Sequence, residues 1–131
     1  MALSLRLALI SALVPHGARV CDIGTDHGYL PIELIKRGDI KSVIATDIRE
    51  KPLASAEKNI KAAGVGGITL RLCDGLEGIA QNEVDTVITA GMGGEVIASI
   101  LARSPLPTAA PAPLLIMQPT TSPEFLRRFL C

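Results

Sequence analysis

Apolar and polar residues alternate along this chain in blocks that predict strands and helices in turn. Short runs of mainly β-branched and aliphatic residues alternate with longer segments in which apolar residues recur at helical spacing. The short runs predict five strands, at 19–23, 41–46, 68–72, 84–89 and 114–117. The longer segments predict helices at 3–14, 30–37, 52–63, 94–103 and 122–130. We expect right-handed crossovers and an α/β fold, with a mostly parallel sheet covered by helices on both faces.

The first predicted helix has the least polar pattern of the five. Leu5, Leu9, Ala12 and Leu13 recur at helical spacing and are expected to form its buried face. The segment also resembles a signal peptide, but Arg6 interrupts it and no basic region precedes it. No apolar run reaches the roughly 20 residues that a membrane-spanning helix needs.

Polar residues and glycines follow each predicted strand where it ends. Ligands of an open parallel sheet bind beyond the carboxyl ends of its strands. We therefore expect one ligand site at that edge. The candidates, taken strand by strand, are Asp22, Gly24, Asp26, His27 and Tyr29, then Asp47, then Cys73, Asp74 and Gly75, then Gly91, Met92, Gly93 and Gly94, and last Gln118 and Pro119.

Composition narrows the protein class. The 131 residues are 48% apolar but only 2% aromatic, so the core must consist of aliphatic side chains, as in parallel sheets. Thirteen basic residues balance thirteen acidic ones, which gives no strong long-range attraction for nucleic acid. The three cysteines, Cys21, Cys73 and Cys131, are too few and too widely spaced for a disulfide framework or a zinc site. A reducing cytoplasm is the expected compartment, and no metal is expected.

The loop after the first strand favours S-adenosylmethionine over a dinucleotide. A dinucleotide loop needs three glycines, because a pyrophosphate must approach bare backbone at a helix N-terminus. This loop has only Gly24 and Gly28, and the acidic Asp22 and Asp26 occupy the place of the phosphates. Two carboxylates repel a pyrophosphate but attract the ammonium and sulfonium groups of S-adenosylmethionine.

Two further acidic residues suit the nucleoside part of that cofactor. Asp47 follows the second strand, where a carboxylate can accept hydrogen bonds from both ribose hydroxyls. Asp74 suits the adenine amino group, with the region of Cys73 and Leu76 packing on the ring. The structural alternatives are a loop or capping residue for Asp47 and a simple Asp-Gly turn for Asp74.

The remaining candidates suit a methyl acceptor. The segment 91–94 contains three glycines that would let a substrate ring approach the backbone, or it is simply a flexible strand-to-helix loop. His27 and Tyr29 can hydrogen-bond to or stack on a base, although a lone histidine in a turn often serves as a structural donor. Asp26 is expected to face either the methyl donor or the nucleophile.

Five motifs together resemble the bacterial tRNA (adenine(22)-N1)-methyltransferases, the TrmK family. The motifs are Asp22-Ile-Gly-Thr-Asp-His-Gly-Tyr-Leu-Pro31, Asp47 with Pro52-Leu53 and Asn59, Arg71 with Asp74-Gly75-Leu76, Ala90-Gly-Met-Gly-Gly94, and Leu115-Ile-Met-Gln-Pro119. The likeness runs over nearly the whole chain. It implies a Rossmann-like fold and methyl transfer from S-adenosylmethionine to N1 of an adenine in tRNA.

The resemblance also implies roles for individual residues. Cofactor contacts would come from Asp22, Gly24, Asp47, Asp74 and Gly75. The target base would lie near Asp26, His27, Tyr29 and the loop at 91–94.

The chain departs from the family in two ways. Family members have further C-terminal strands and a helical C-terminal domain that is believed to hold tRNA, so residues 1–131 are expected to form one incomplete methyltransferase domain. Thr120 stands where the family pattern suggests Asn. Three alternatives therefore stay open: an inactive domain that only binds the cofactor, a methyltransferase for a small molecule or protein, and a nicotinamide dehydrogenase, which Asp22 and Asp26 disfavour.

Overall fold

A five-stranded parallel sheet forms the centre of the computed structural model, which describes residues 5–130. The strands are β1 (Arg19–Ile23), β2 (Ser42–Asp47), β3 (Ile68–Leu72), β4 (Thr86–Met92) and β5 (Leu114–Pro119). The helices are α1 (Leu5–Leu13), α2 (Tyr29–Lys36), α3 (Glu50–Ala63), α4 (Gly94–Ala102) and α5 (Pro123–Leu130). The predicted α/β class is confirmed, and positions 3 and 4 of the first predicted helix lie outside the described residues.

The strand order is β3-β2-β1-β4-β5, and every neighbouring pair is parallel. The chain moves outward from β1 through β2 to β3, then returns to the other side of β1 for β4. Strands β2 and β4 therefore flank β1, and their crossovers leave in opposite directions. Such a reversal opens a crevice at the carboxyl ends of the strands.

Helices cover both faces of the sheet, as the alternating pattern predicts. On one face, Ile10 of α1 and Leu34 of α2 pack with Val20, Val43 and Ile88 of the central strands. On the other face, the helices α4 and α5 supply the apolar cover. The buried residues of that second cluster include Cys21, Ile44, Val87, Ile97, Ile100, Leu101 and Leu126. The core contains almost no aromatic side chains, in accord with the composition.

Two strands are longer than predicted. β4 continues to Met92 and β5 to Pro119, because the two strands keep pairing past Ala90 through a register shift. Gly91 lies at that shift with a φ of 79°, a left-handed conformation that glycine adopts without strain. The segment at 91–92 is therefore part of a bulged strand end and not a loop.

The predicted buried face of α1 is wrong. Leu5, Leu9 and Leu13 are 76%, 59% and 65% exposed, while Ile10 and Val14 are buried. The apolar residues of α1 lie on all sides of the helix, so their spacing does not define a single buried face. The Arg37 guanidinium anchors the C-terminal end of α1, because its Nη1 donates to the Ser11 carbonyl at 2.6 Å and its Nη2 to the Val14 carbonyl at 3.1 Å.

Within residues 5–130, no helix combines the length and the apolar character required to cross a membrane.

Candidate functional site

A cavity of about 770 Å³ lies at the carboxyl ends of the strands, where the strand order reverses. Its size is that of a pocket for a small organic ligand. Most of the residues singled out in the sequence line it. They are Asp22, Gly24, Asp26, His27, Tyr29, Asp47, Cys73, Asp74, Gly75, Gly91 and Met92. Parallel pairing alone brings these residues together, because it aligns the carboxyl ends of all five strands.

Four candidates, Gly93, Gly94, Gln118 and Pro119, are not among the residues that line the cavity. Gly94 is buried against the turn that follows β5, where its N–H donates to the Thr121 carbonyl at 2.6 Å. A Cβ at Gly94 would collide with the Ser122 carbonyl oxygen. The structure therefore gives Gly94 a packing role. Its lack of a side chain lets α4 approach α5, and it does not open space for a ligand.

Asp47, the last residue of β2, lines the cavity and is only 5% exposed. Its Oδ1 accepts the Arg49 backbone N–H at 3.1 Å, and its Oδ2 accepts the Asp26 backbone N–H at 3.3 Å. A carboxylate has about four acceptor positions, so two hydrogen bonds leave room for two more donors. A vicinal diol, such as that of a ribose, presents two donors at a matching separation.

Asp22 lies deeper, at the end of β1, with only 4% of its surface exposed. Burial raises the pKa of this carboxyl from 3.8 to about 7, and the negative charge of Asp47 contributes in the same direction. Near neutral pH the group is therefore divided between its protonated and ionised forms. A cation in the cavity would favour the ionised form.

Asp74 pairs with Arg103, a residue that the sequence analysis did not single out. The Arg103 Nη1 donates to the Asp74 Oδ2 at 2.6 Å and lies 3.6 Å from the Glu77 Oε1. The hydrogen bond from Arg103 holds the pKa of Asp74 below its usual range. Asp74 and Arg103 both line the cavity. A ligand that contacts Asp74 would therefore meet an ion pair and not an isolated carboxylate.

The loop after β1 is fixed by side chains from α3. The Asn59 side-chain amide donates to the His27 carbonyl at 2.9 Å, and the Ser55 Oγ lies 2.8 Å from the His27 Nδ1. The imidazole of His27 and the ring of Tyr29 have centroids 5.6 Å apart. Two ring systems and the Asp26 carboxylate, whose side chain is 63% exposed, therefore stand together at the rim of the cavity.

Gly24 and Gly28 shape this loop in different ways. A Cβ at Gly24 would collide with the terminal methyl of Met92, and one at Gly28 would come within 3.0 Å of the Ala56 Cβ. Both residues also have positive φ angles, 68° and 77°, which favour glycine. Gly24 thus leaves room for the Met92 side chain beside the loop after β1, while Gly28 lets α3 pack against the start of α2.

Helix α4 supplies a cavity wall that the sequence analysis missed. Val96 and Ile100 of α4 line the cavity together with Arg103, which directly follows the helix, and their spacings of four and three residues place them on one side. That periodicity is visible in the sequence and could have identified this wall. The cavity is also lined by Arg6, Leu7, Thr25, Thr46, Ile48 and Arg49.

No group of three or more His, Cys, Asp or Glu side chains within residues 5–130 is placed to hold a metal ion.

Comparison with known proteins identifies the family to which this chain belongs. The family model described as "Methyltransferase domain" matches residues 3–131. The tRNA (adenine(22)-N(1))-methyltransferase of Bacillus subtilis (strain 168) is 40% identical over 100 residues, which cover 76% of this chain and 42% of that protein. The chain therefore spans less than half the length of this curated relative.

Two solved structures superpose closely on the fold. The Streptococcus pneumoniae protein Sp1610 in complex with S-adenosyl-L-methionine has a TM-score of 0.89 and 41% identity, covering 98% of this chain and 61% of that one. M. capricolum TrmK in complex with S-adenosyl-homocysteine has a TM-score of 0.87 and 34% identity, covering 98% of this chain and 57% of that one. The resemblance deduced from the motifs is confirmed.

The raised pKa of Asp22 predicts a specific pH dependence of stability. The folded protein holds the Asp22 proton more tightly than the unfolded chain does, so this group's contribution to stability falls as the pH rises from about 4 to about 7. The substitution Asp22→Asn replaces the titrating carboxyl group with an amide that does not ionise. We expect the variant to gain stability relative to the parent protein over that range, by a few kcal/mol in total. Urea unfolding at pH 5, 6, 7 and 8 measures the difference, and a difference that is independent of pH would contradict the assignment.

The packing role of Gly94 predicts that Gly94→Ala destabilises the fold. The added methyl would force the turn at 121–122 away from α4, at a cost of about 1–3 kcal/mol in the free energy of unfolding. Gly66→Ala is the matched control, since no atom lies within 4 Å of a Cβ there. Urea denaturation compares the two variants. An alanine at 94 that leaves stability intact and weakens substrate binding would instead return the residue to the substrate site.

Proposed function

Because this chain belongs to the methyltransferase domain family, we propose that it transfers a methyl group from S-adenosylmethionine to N1 of adenine 22 in a tRNA. Residues 1–131 form the domain that binds the methyl donor. The observation that carries the proposal is the cavity where the strand order reverses, with Asp22 and Asp47 in its wall and Asp26, His27 and Tyr29 at its rim. Similarity to the B. subtilis tRNA (adenine(22)-N(1))-methyltransferase supports the choice of acceptor.

The residues present fit S-adenosylmethionine. Asp47 keeps two acceptor positions for the ribose hydroxyls, and the buried Asp22 carboxyl favours a cation. The hydroxyl of Thr46 is buried without a hydrogen-bond partner within residues 5–130, and Thr46 lines the cavity. The apolar face of α4 at Val96 and Ile100 suits an adenine ring. When bound, S-adenosylmethionine supplies an electrophilic methyl group on a positively charged sulfur.

The residues at the rim suit an adenine base as the methyl acceptor. N1 of adenine carries a lone pair, so it can attack without a general base. The base must be unpaired, because N1 lies on its Watson–Crick edge. His27 and Tyr29 offer ring surfaces on which an exposed base can stack. We assign them this positioning role, together with the orientation of the acceptor nitrogen toward the methyl donor.

Asp26 is suited to stabilise the product. Methylation at N1 makes the base cationic, and a carboxylate beside it stabilises the developing charge. Asp26 has a φ of 56°, a conformation that few residues other than glycine, asparagine and aspartate adopt readily. The hydrogen bond from its N–H to Asp47 helps to hold this conformation. The loop is thereby set before any ligand arrives.

The proposal extends to the partner and the compartment. The tRNA is the macromolecular partner, and we assign part of its binding to a C-terminal region such as the family carries. The cytoplasm is the proposed location, which the free thiols of Cys21 and Cys73 support, since such thiols are typical of reducing compartments. The substrate contacts assigned to Gly93, Gln118 and Pro119 remain predictions.

The first prediction of this proposal concerns the cofactor. Asp47→Asn should weaken S-adenosylhomocysteine binding at least about tenfold, because the substituted amide offers a single acceptor atom for the hydroxyls and the backbone donors. Glu57→Gln, an exposed change on α3 outside the cavity, should leave affinity unchanged. Isothermal titration calorimetry measures both, with thermal unfolding to confirm that each variant is folded. Tight binding of NADH and none of S-adenosylhomocysteine would overturn the proposal in favour of a dehydrogenase.

The second prediction separates binding from transfer. Asp26→Asn keeps a residue that tolerates a positive φ but removes the charge. We expect the rate of tRNA methylation to fall about tenfold or more while S-adenosylhomocysteine affinity stays within about twofold. Single-turnover transfer of labelled methyl to a tRNA with A22, and to the same tRNA with G22, is the measurement. Cofactor binding with no transfer to any tRNA would favour the domain that only binds the cofactor. Transfer to a small molecule or protein, and not to tRNA, would show that tRNA is not the methyl acceptor.

A further inference from the structure

We propose that Arg6 binds the carboxylate at the amino-acid end of S-adenosylmethionine. This assignment rests on the proposed function, which makes S-adenosylmethionine the ligand of the cavity. It names a ligand contact on α1, a helix that none of the sequence motifs includes.

The charges of the ligand and of the cavity have to match. S-adenosylmethionine has a sulfonium and an ammonium group, which are positive, and one carboxylate, which is negative. Four carboxylates line the cavity, on Asp22, Asp26, Asp47 and Asp74. They suit the two cationic groups but would repel the carboxylate of the ligand. A cation is therefore needed where that carboxylate lies.

Three arginines line the cavity, and two of them already face carboxylates. Arg103 pairs with Asp74 at 2.6 Å and approaches Glu77 at 3.6 Å. The Arg49 Nε lies 3.9 Å from the Asp47 Oδ1. Arg6 forms no ion pair with any residue in the described range 5–130. It is therefore the cavity arginine whose charge is left for the ligand.

The position of Arg6 agrees with the expected direction of the ligand. Asp47 and Asp74 follow β2 and β3, on one side of β1, and mark the nucleoside end. Gly91 lies one residue before the end of β4, on the other side of β1, and the Arg6 Nη1 lies 3.5 Å from the position that a Cβ on Gly91 would take. β2 and β4 are two strand spacings apart, about 10 Å. The methionine portion, extended from the ribose through the sulfur, runs across that interval toward Arg6.

A second contact holds the guanidinium in place. The Arg6 Nη1 donates to the Gln118 Oε1 at 3.5 Å, and the same oxygen accepts the Gly91 backbone N–H at 3.3 Å. Gln118 thus joins α1 to the bulged end of β4 from behind the cavity wall. The remaining guanidinium N–H groups have no hydrogen-bond partner within residues 5–130, and their planar arrangement matches a carboxylate.

The test compares two methyl donors that differ only in the carboxylate. Arg6→Gln should weaken binding of S-adenosylmethionine by about ten- to a hundredfold, the effect of losing a charge-assisted hydrogen-bonded pair. Binding of decarboxylated S-adenosylmethionine should change by less than about threefold, because the ligand lacks the group that Arg6 contacts. Arg6→Lys should fall between the parent and Arg6→Gln for S-adenosylmethionine. Arg127→Gln, an exposed change on α5, is the matched control and should change neither affinity.

The outcomes separate this inference from the proposed function. An equal loss of affinity for both donors in Arg6→Gln would overturn the inference, since Arg6 would then merely support the cavity. Unchanged affinity for S-adenosylmethionine with a raised KM for tRNA would also overturn it, and would move Arg6 to an RNA phosphate. If the parent protein binds neither donor, the proposed function fails and the inference falls with it.

Discussion

The buried carboxylate of Asp47 ties the loop after β1 to the loop after β2, and the cavity depends on that link. One oxygen accepts the N–H of Asp26 and the other accepts the N–H of Arg49. A further bond from the Thr25 N–H to the Thr46 carbonyl, at 2.8 Å, extends the pairing of the two strands by one step. The strained backbone at Asp26 is thereby held by its neighbours, so the residues at the rim are arranged before a ligand binds.

The cavity combines charges of both signs in an ordered way. Carboxylates lie at or just after the ends of β1, β2 and β3, whereas arginines approach from α1, from the end of α4 and from the start of α3. Arg103 pairs with Asp74 at the end that we assign to the nucleoside, and Arg6 forms no ion pair within the described residues at the opposite end. A ligand with a neutral ring, a diol, two cationic groups and a carboxylate is therefore matched along its length. In the proposed function, the apolar wall on α4 supplies the surface for the ring.

The sequence predicts the fold better than it predicts the contacts within the site. The strand ends at Asp22 and Asp47 are evident because β-branched runs stop there and polar residues follow, and parallel pairing then brings them together. The Asp74–Arg103 pair joins residues 29 positions apart, and no local pattern reveals it. Arg37 bonds to two carbonyls at the end of α1, and the spacing of apolar residues along the sequence does not predict such contacts. The sequence suggested that Gly94 leaves space for a substrate ring, but the turn after β5 occupies the space beside it.

The partly protonated state of Asp22 has a consequence for the occupied cavity. A proton and a positively charged ligand compete for one buried oxygen pair, so each weakens the other's hold by the same factor. Cation uptake near neutral pH must then expel a fraction of a proton to solvent. Mild acidification would in turn weaken the binding of such a ligand, so that the charge state of a single side chain couples affinity to the acidity of the surroundings.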